Sequence, residues 1–174
     1  NNYTNTSSFI VTIGLALEDF ESGGFTSYPW DFSGYNIQWP GVNPIEDYNI
    51  IDTLANAEWV LESEEYYSGS YSARSAQITH NQASIMHITM DVVEDSEISF
   101  YYRVACEYST SGEFFYDGLI FSIDSDIVEH YQPTGNGQSP WIYVSHPVTS
   151  GPHTFSWAYV KDGSDGGTYI DEDA

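Results

Sequence analysis

Apolar and polar positions alternate along much of the chain, and that alternation predicts strands. In residues 9–17, Phe9, Val11, Ile13, Leu15 and Leu17 share one face. In 85–93, Met86, Ile88, Met90 and Val92 face one way, and His87, Thr89 and Asp91 the other. In 97–107 ("EISFYYRVACE"), Ile98, Phe100, Tyr102, Val104 and Cys106 form an apolar face opposite Ser99, Tyr101, Arg103, Ala105 and Glu107. Shorter runs at 118–124, 141–146 and 153–160 repeat the pattern, the last with Phe155, Trp157 and Tyr159 on one side. Turn formers separate the runs, among them Gly23-Gly24, Pro40-Gly41, Ser68-Gly69-Ser70 and Ser150-Gly151-Pro152. Only 50–58 ("IIDTLANAE") offers a helical turn or two. Many short strands at close spacing predict an all-β fold. The expected form is a two-sheet antiparallel β-sandwich, a jelly roll, with an extra N-terminal strand in 1–17 ahead of a body at 18–174.

Composition agrees. A chain of 174 residues can bury a sizeable core in one domain. Aromatics make up 17%, too many for a disordered chain. Lys and Arg total 3, too few for exposed helix faces. The formal charge of −23 excludes nucleic acid and anionic membrane surfaces as partners. It also creates self-repulsion, which bound divalent cations relieve. The single cysteine, Cys106, makes no internal disulfide, and its strand face marks it as a small buried hydrophobe. No run reads as a signal peptide or is long and apolar enough to insert in a membrane.

Several segments, in order, carry a resemblance. They are "LEDFESGGF", "YPWDFSGYNIQW", "SGSYSARS" (68–75), "SEISFYYRVACE" (96–107), "DGLIFSID" (117–124), Trp141, "SGPHTFSWAYVKDGS" (150–164) and "IDEDA". This set resembles bacterial extracellular jelly-roll domains of the MAM-like and gingipain cleaved-adhesin type, over roughly 18–174. Such domains are secreted or cell-surface modules, often non-catalytic. The resemblance implies an extracellular location and a role in adhesion. Its pattern continues into one more strand beyond Ala174, and residues 1–17 lie outside it.

The acidic opening suggests a metal. Asp19 and Glu21 point one way on a strand and Phe20 the other. In jelly rolls of the resembling type, the first and last strands lie side by side near a G-x-x-S turn. That implies a structural Ca²⁺ held by Asp19, Glu21, Asp171 or Asp173, and carbonyls around Ser68 and Ser70, because calcium takes six to eight oxygens.

Sugar stacking is the other chemistry to weigh. Trp30, in a turn-like stretch beside Tyr28 and Tyr35, is the first carbohydrate-binding candidate, with Tyr66 and Tyr67 behind it. Trp39, Trp141 and Trp157 read as core. Arg103 reads as a structural ion-pair anchor, with Glu107 and Asp117 as partners. The 5 histidines form no metal-binding spacing, and no GxSxG or phosphate loop is present. A jelly-roll glycoside hydrolase or lyase would need two carboxylates, and no pair is marked out.

Two functions are therefore expected. One is a non-catalytic, calcium-stabilised module for surface adhesion or self-assembly. In the self-assembly form the strand Phe9, Val11, Ile13, Leu15 and Leu17 completes the sheet of the next chain, giving a head-to-tail homopolymer. The other is a carbohydrate-binding module of a secreted hydrolase or peptidase, with an extracellular polysaccharide as partner. The first strand pairing within its own chain, or belonging to a larger protein, are the remaining alternatives.

Overall fold

The computed structural model describes residues 8–13, 16–38, 49–109, 111, 114–133 and 138–163, with side chains from residue 17 onward. The described residues contain strands and no helix. In chain order the strands are β1 (Ser8–Ile13), β2 (Ala16–Glu18), β3 (Asp31–Gln38), β4 (Asn49–Thr53), β5 (Val60–Glu62), β6 (Ser72–Arg74), β7 (Gln82–Val92), β8 (Ser96–Tyr102), β9 (Gly118–Ile123), β10 (Asp126–Tyr131), β11 (Ile142–Val148) and β12 (Gly151–Lys161). They form two six-stranded antiparallel sheets. The first runs β11-β8-β1-β6-β5, with β2 hydrogen-bonded to β1, and the second runs β10-β9-β12-β7-β3-β4.

Alternation explains the core between them. Ile98, Phe100 and Tyr102 of β8 bury the same side, and so do Phe155, Trp157 and Tyr159 of β12. Met86 and Ile88 of β7 and Leu119 and Phe121 of β9 join the same cluster. Phe100, from the first sheet, meets Trp157 at 5.6 Å and Phe121 at 5.0 Å, both edge-on, from the second. Edge-to-face packing suits the charge distribution of aromatic rings. The register is pinned by the long ladder between β7 and β12, which runs from Val92↔Gly151 to Gln82↔Lys161.

The second sheet is apolar on both faces near its centre. Ile37, Ala83, Phe115, Ile120, Ala158 and Val160 form a separate buried cluster on its outer side. That is why Gly118–Phe121 are all buried although the strand alternates.

Three expectations change. Residues 9–17 are a hairpin, not one strand: β1 turns back on β2, with Val11 opposite Glu18 and Ile13 opposite Ala16. Leu17 pairs with Thr12 and is 55% exposed. Residues 50–58 begin in strand β4, paired to β3, because Ile50, Ile51 and Thr53 are β-branched and favour the extended backbone. Finally, β8 ends at Tyr102. The following 104–109 leave the ladder yet stay buried, tied by reciprocal Val104–Ser139 hydrogen bonds.

β1 lies within its own chain's first sheet. It pairs with β8 on one side (Ile10↔Tyr101 through Ile13↔Ile98) and with β6 and β2 on the other.

Candidate functional site

The acidic opening splits into an inward and an outward half. Glu18 is 3% exposed. Its Oε1 accepts the Phe20 N–H at 2.8 Å and its Oε2 accepts the Trp30 indole N–H at 3.1 Å. Phe20 has φ of 61° and is fully buried against Phe25 and Trp30. Trp30 also packs on Trp157 at 5.9 Å. Trp30 is therefore built into the edge of the core rather than presented to a sugar. Tyr28 packs on the same core and donates its hydroxyl to the Leu17 carbonyl at 3.3 Å.

Asp19 and Glu21 are exposed. Asp19 Oδ1 accepts the Glu21 N–H at 3.1 Å. Glu21 Oε1 accepts the N–H groups of Ser70 at 2.7 Å and Tyr71 at 3.0 Å. Thus Glu21 and Ser70 do come together, through an amide rather than a carbonyl. Ser68 is exposed in the same turn. Asp171 and Asp173 lie outside the described residues, as do Leu15 and Trp39. Among the described residues no three or more His, Cys, Asp or Glu form a group that could hold a metal ion.

An aromatic platform occupies the outer face of the first sheet. Tyr101 on β8 and Tyr143 on β11 are directly opposite in register, with rings 5.2 Å apart. Tyr67, from the loop before β6, lies flat on Tyr101 at 3.6 Å and 13°. Trp141 meets Tyr67 edge-on at 6.1 Å. Tyr67 is 45% exposed and Tyr143 55%. Neighbouring Tyr66 is also exposed. A hydrogen bond with Tyr67, then burial, raises the Tyr101 phenol above its ordinary pKa. Arg103 closes one side through an ion pair with Glu65 at 3.0 Å, so its partner is neither Glu107 nor Asp117. Tyr101, Tyr143 and Trp141 were not expected here; the signal was Tyr101 standing on the polar side of its strand.

A groove of about 420 Å³ lies on the outer face of the second sheet. Ile85, Ile120, Ile127 and Ile50 give it an apolar lining, and Tyr35 belongs to it as well. One rung crosses four strands as Ser122, Ser156, His87 and Asp31. His87 Nε2 stands 3.8 Å from Asp31 Oδ2. No carboxylate lines the described groove.

A fourth cluster is buried at the end of β12. Lys161 is 1% exposed and Asp117 2%, with Nζ 3.8 Å from Oδ2. Asp117 Oδ1 accepts the Asp162 N–H at 2.8 Å. Glu107 is 3% exposed. Burial pushes the Asp117 carboxyl up to about 7; the Asp162 amide and Lys161 oppose the rise, and the charges of Asp162 and Glu107 add to it. The Cys106 thiol donates to the Asp117 carbonyl at 3.3 Å, and burial holds its pKa well above the usual range. The chain's one lysine ending an apolar strand ("FSWAYVK") was the sequence signal for this cluster.

Compared with known proteins, the chain matches no family model, no curated protein and no solved structure.

Proposed function

We propose that this chain is a jelly-roll β-sandwich of the bacterial extracellular, MAM-like and cleaved-adhesin type, acting as a non-catalytic module that binds neutral polysaccharide. The observation that carries the reading is the stack of Tyr67 on Tyr101, extended by Tyr143 and Trp141. Half-exposed rings side by side on a sheet face offer flat apolar surfaces that suit the C–H faces of sugar rings. The charge of −23 disfavours uronic or sulfated chains, which leaves neutral ones. A module that holds such a chain serves surface adhesion. Strand donation is not part of this proposal, because β1 is already paired on both sides in its own sheet.

The test is a titration of tryptophan fluorescence and affinity electrophoresis against neutral and acidic polysaccharides. Tyr67→Ala and Tyr143→Ala each weaken binding at least about tenfold, roughly 1.4 kcal/mol, with the fold retained. Indifference of the wild-type chain to every neutral polysaccharide overturns the reading.

Calcium belongs to the proposal as a structural ion at Asp19 and Glu21. Its support is two exposed carboxylates two positions apart, one docked on the turn at Ser70, in a strongly acidic chain. Two carboxylates supply fewer than the six to eight oxygens calcium takes. Carbonyls at Ser68 and Ser70, with Asp171 and Asp173, would complete the set. Thermal melts with calcium and with chelator decide it: a rise in Tm that Glu21→Gln abolishes is expected.

A further inference from the structure

We propose that Lys161 and Asp117 condense into an intramolecular amide, with the buried Glu107 carboxylate moving the proton. The two side chains start from adjacent strands, since Val160 is paired with Gly118. Nζ lies 3.8 Å from Oδ2 of the carboxyl whose carbon it attacks. Both residues are buried beside an apolar cluster that includes Phe115, Ile120 and Val160. Their backbone is tightly set: a side chain on Gly118 would run into the Tyr131 carbonyl and the Phe115 ring.

The parts of the reaction are assigned to the groups of this buried cluster. The carboxyl carbon of Asp117 is the electrophile. Oδ1 already accepts the Asp162 N–H at 2.8 Å, so the negative charge that develops on it during attack meets a donor in place. Oδ2, on the lysine side, is the leaving oxygen. Attack by the neutral amine forms the Nζ–Cγ bond. Glu107 takes a proton from Nζ and gives it to the departing hydroxyl, the Cγ–Oδ2 bond breaks, and one water leaves. No electrons are transferred and no co-reactant is needed. Among the described residues, the charges of Glu107 and Asp162 act on the Asp117 carboxyl, and the Cys106 thiol feels both members of the pair.

The electrostatics favour the same outcome. Holding a lysine and an aspartate out of water is costly, and the amide removes both charges permanently. The Asp117 carboxyl is pushed up to about 7, so its neutral, reactive form is present near neutral pH.

Intact-mass spectrometry of the folded chain, followed by digestion and peptide sequencing, tests this. The expected mass is one water below the sequence mass, with the deficit on a branched peptide that joins Asp117 to Lys161. A succinimide at Asp117-Gly118 loses the same water but stays on a linear peptide and reopens in mild base. Lys161→Arg, which keeps the buried charge, and Glu107→Gln restore the full mass while the strand signal in circular dichroism persists. The full sequence mass in the folded wild type, a deficit on a linear peptide, or a deficit that survives Lys161→Arg overturns the proposal. The wild-type digest alone decides it should either variant fail to fold.

Discussion

The Trp30 indole N–H donates to Glu18 Oε2 at 3.1 Å, while Glu18 Oε1 accepts the Phe20 N–H at 2.8 Å. One buried carboxylate thereby ties the end of β2 to the segment that leads into β3. Glu18→Ala leaves two buried donors without their acceptor and is expected to cost about 3 kcal/mol in urea denaturation. Trp30→Ala should likewise destabilise the fold without lowering polysaccharide affinity at temperatures where it stays folded. That outcome separates the core tryptophan from the tyrosine platform.

Glu21 is held on a turn that needs glycine. Gly69 has φ of +76°, and a side chain there would collide with the Glu21 carboxylate. Gly69→Ala is expected to cost about 1–2 kcal/mol. Glu21→Gln should cost less. Because both act on one contact, the double variant should lose less than the sum, which a double-mutant cycle by chemical denaturation reads directly.

Gly34 is a packing glycine. A Cβ at this buried position of β3 would overlap Ala57 Cβ and crowd the Leu54 carbonyl. Gly34→Ala is expected to lower stability by about 1–3 kcal/mol through overpacking. The same substitution at Gly151, where a Cβ meets nothing within 4 Å, tests φ of +129° without a clash.

The pH response has a definite sign at His146. Its ring accepts or donates at 2.8 Å with the Tyr131 hydroxyl and lies against Phe121 and Phe100. Burial lowers its pKa, and the Glu129 carboxylate opposes this weakly. The unfolded chain then binds more protons than the folded one just below the ordinary histidine pKa, so this contribution is full above about 6.5 and is lost as pH falls through the folded value. Melts between pH 7 and pH 5 should fall more steeply for the wild type than for His146→Gln.

Much of the strand pattern was legible because it depends on local chemistry. The 97–107 alternation located β8 and its inward face, and 153–160 located the heart of β12. What stayed hidden depended on partners distant in sequence. Nothing local says that Ile120, Ala158 and Ala83 bury a second face, or that Tyr67 folds over Tyr101. The hairpin within 9–17 was missed because five apolar residues at even spacing read the same whether or not the backbone reverses. The tie from Trp30 to the core is hidden in a Pro-Trp turn until its buried acceptor, Glu18, is placed. For the buried cluster, the sequence supplied Lys161 but not the carboxylate across the ladder.

The position of β1 has a consequence for how the chain assembles. The strand fills the slot between β8 and β6, yet it lies far upstream of both. Apart from the short β2 beside it, its bonding edges do not exist until residues 72–102 have been made, so the slot is among the slower parts of the fold to close. Until then the upstream segment is an apolar strand in search of an edge, and the sheet has an edge in search of a strand. Crowded molecules refolding together can trade them, whereas dilute ones fill their own.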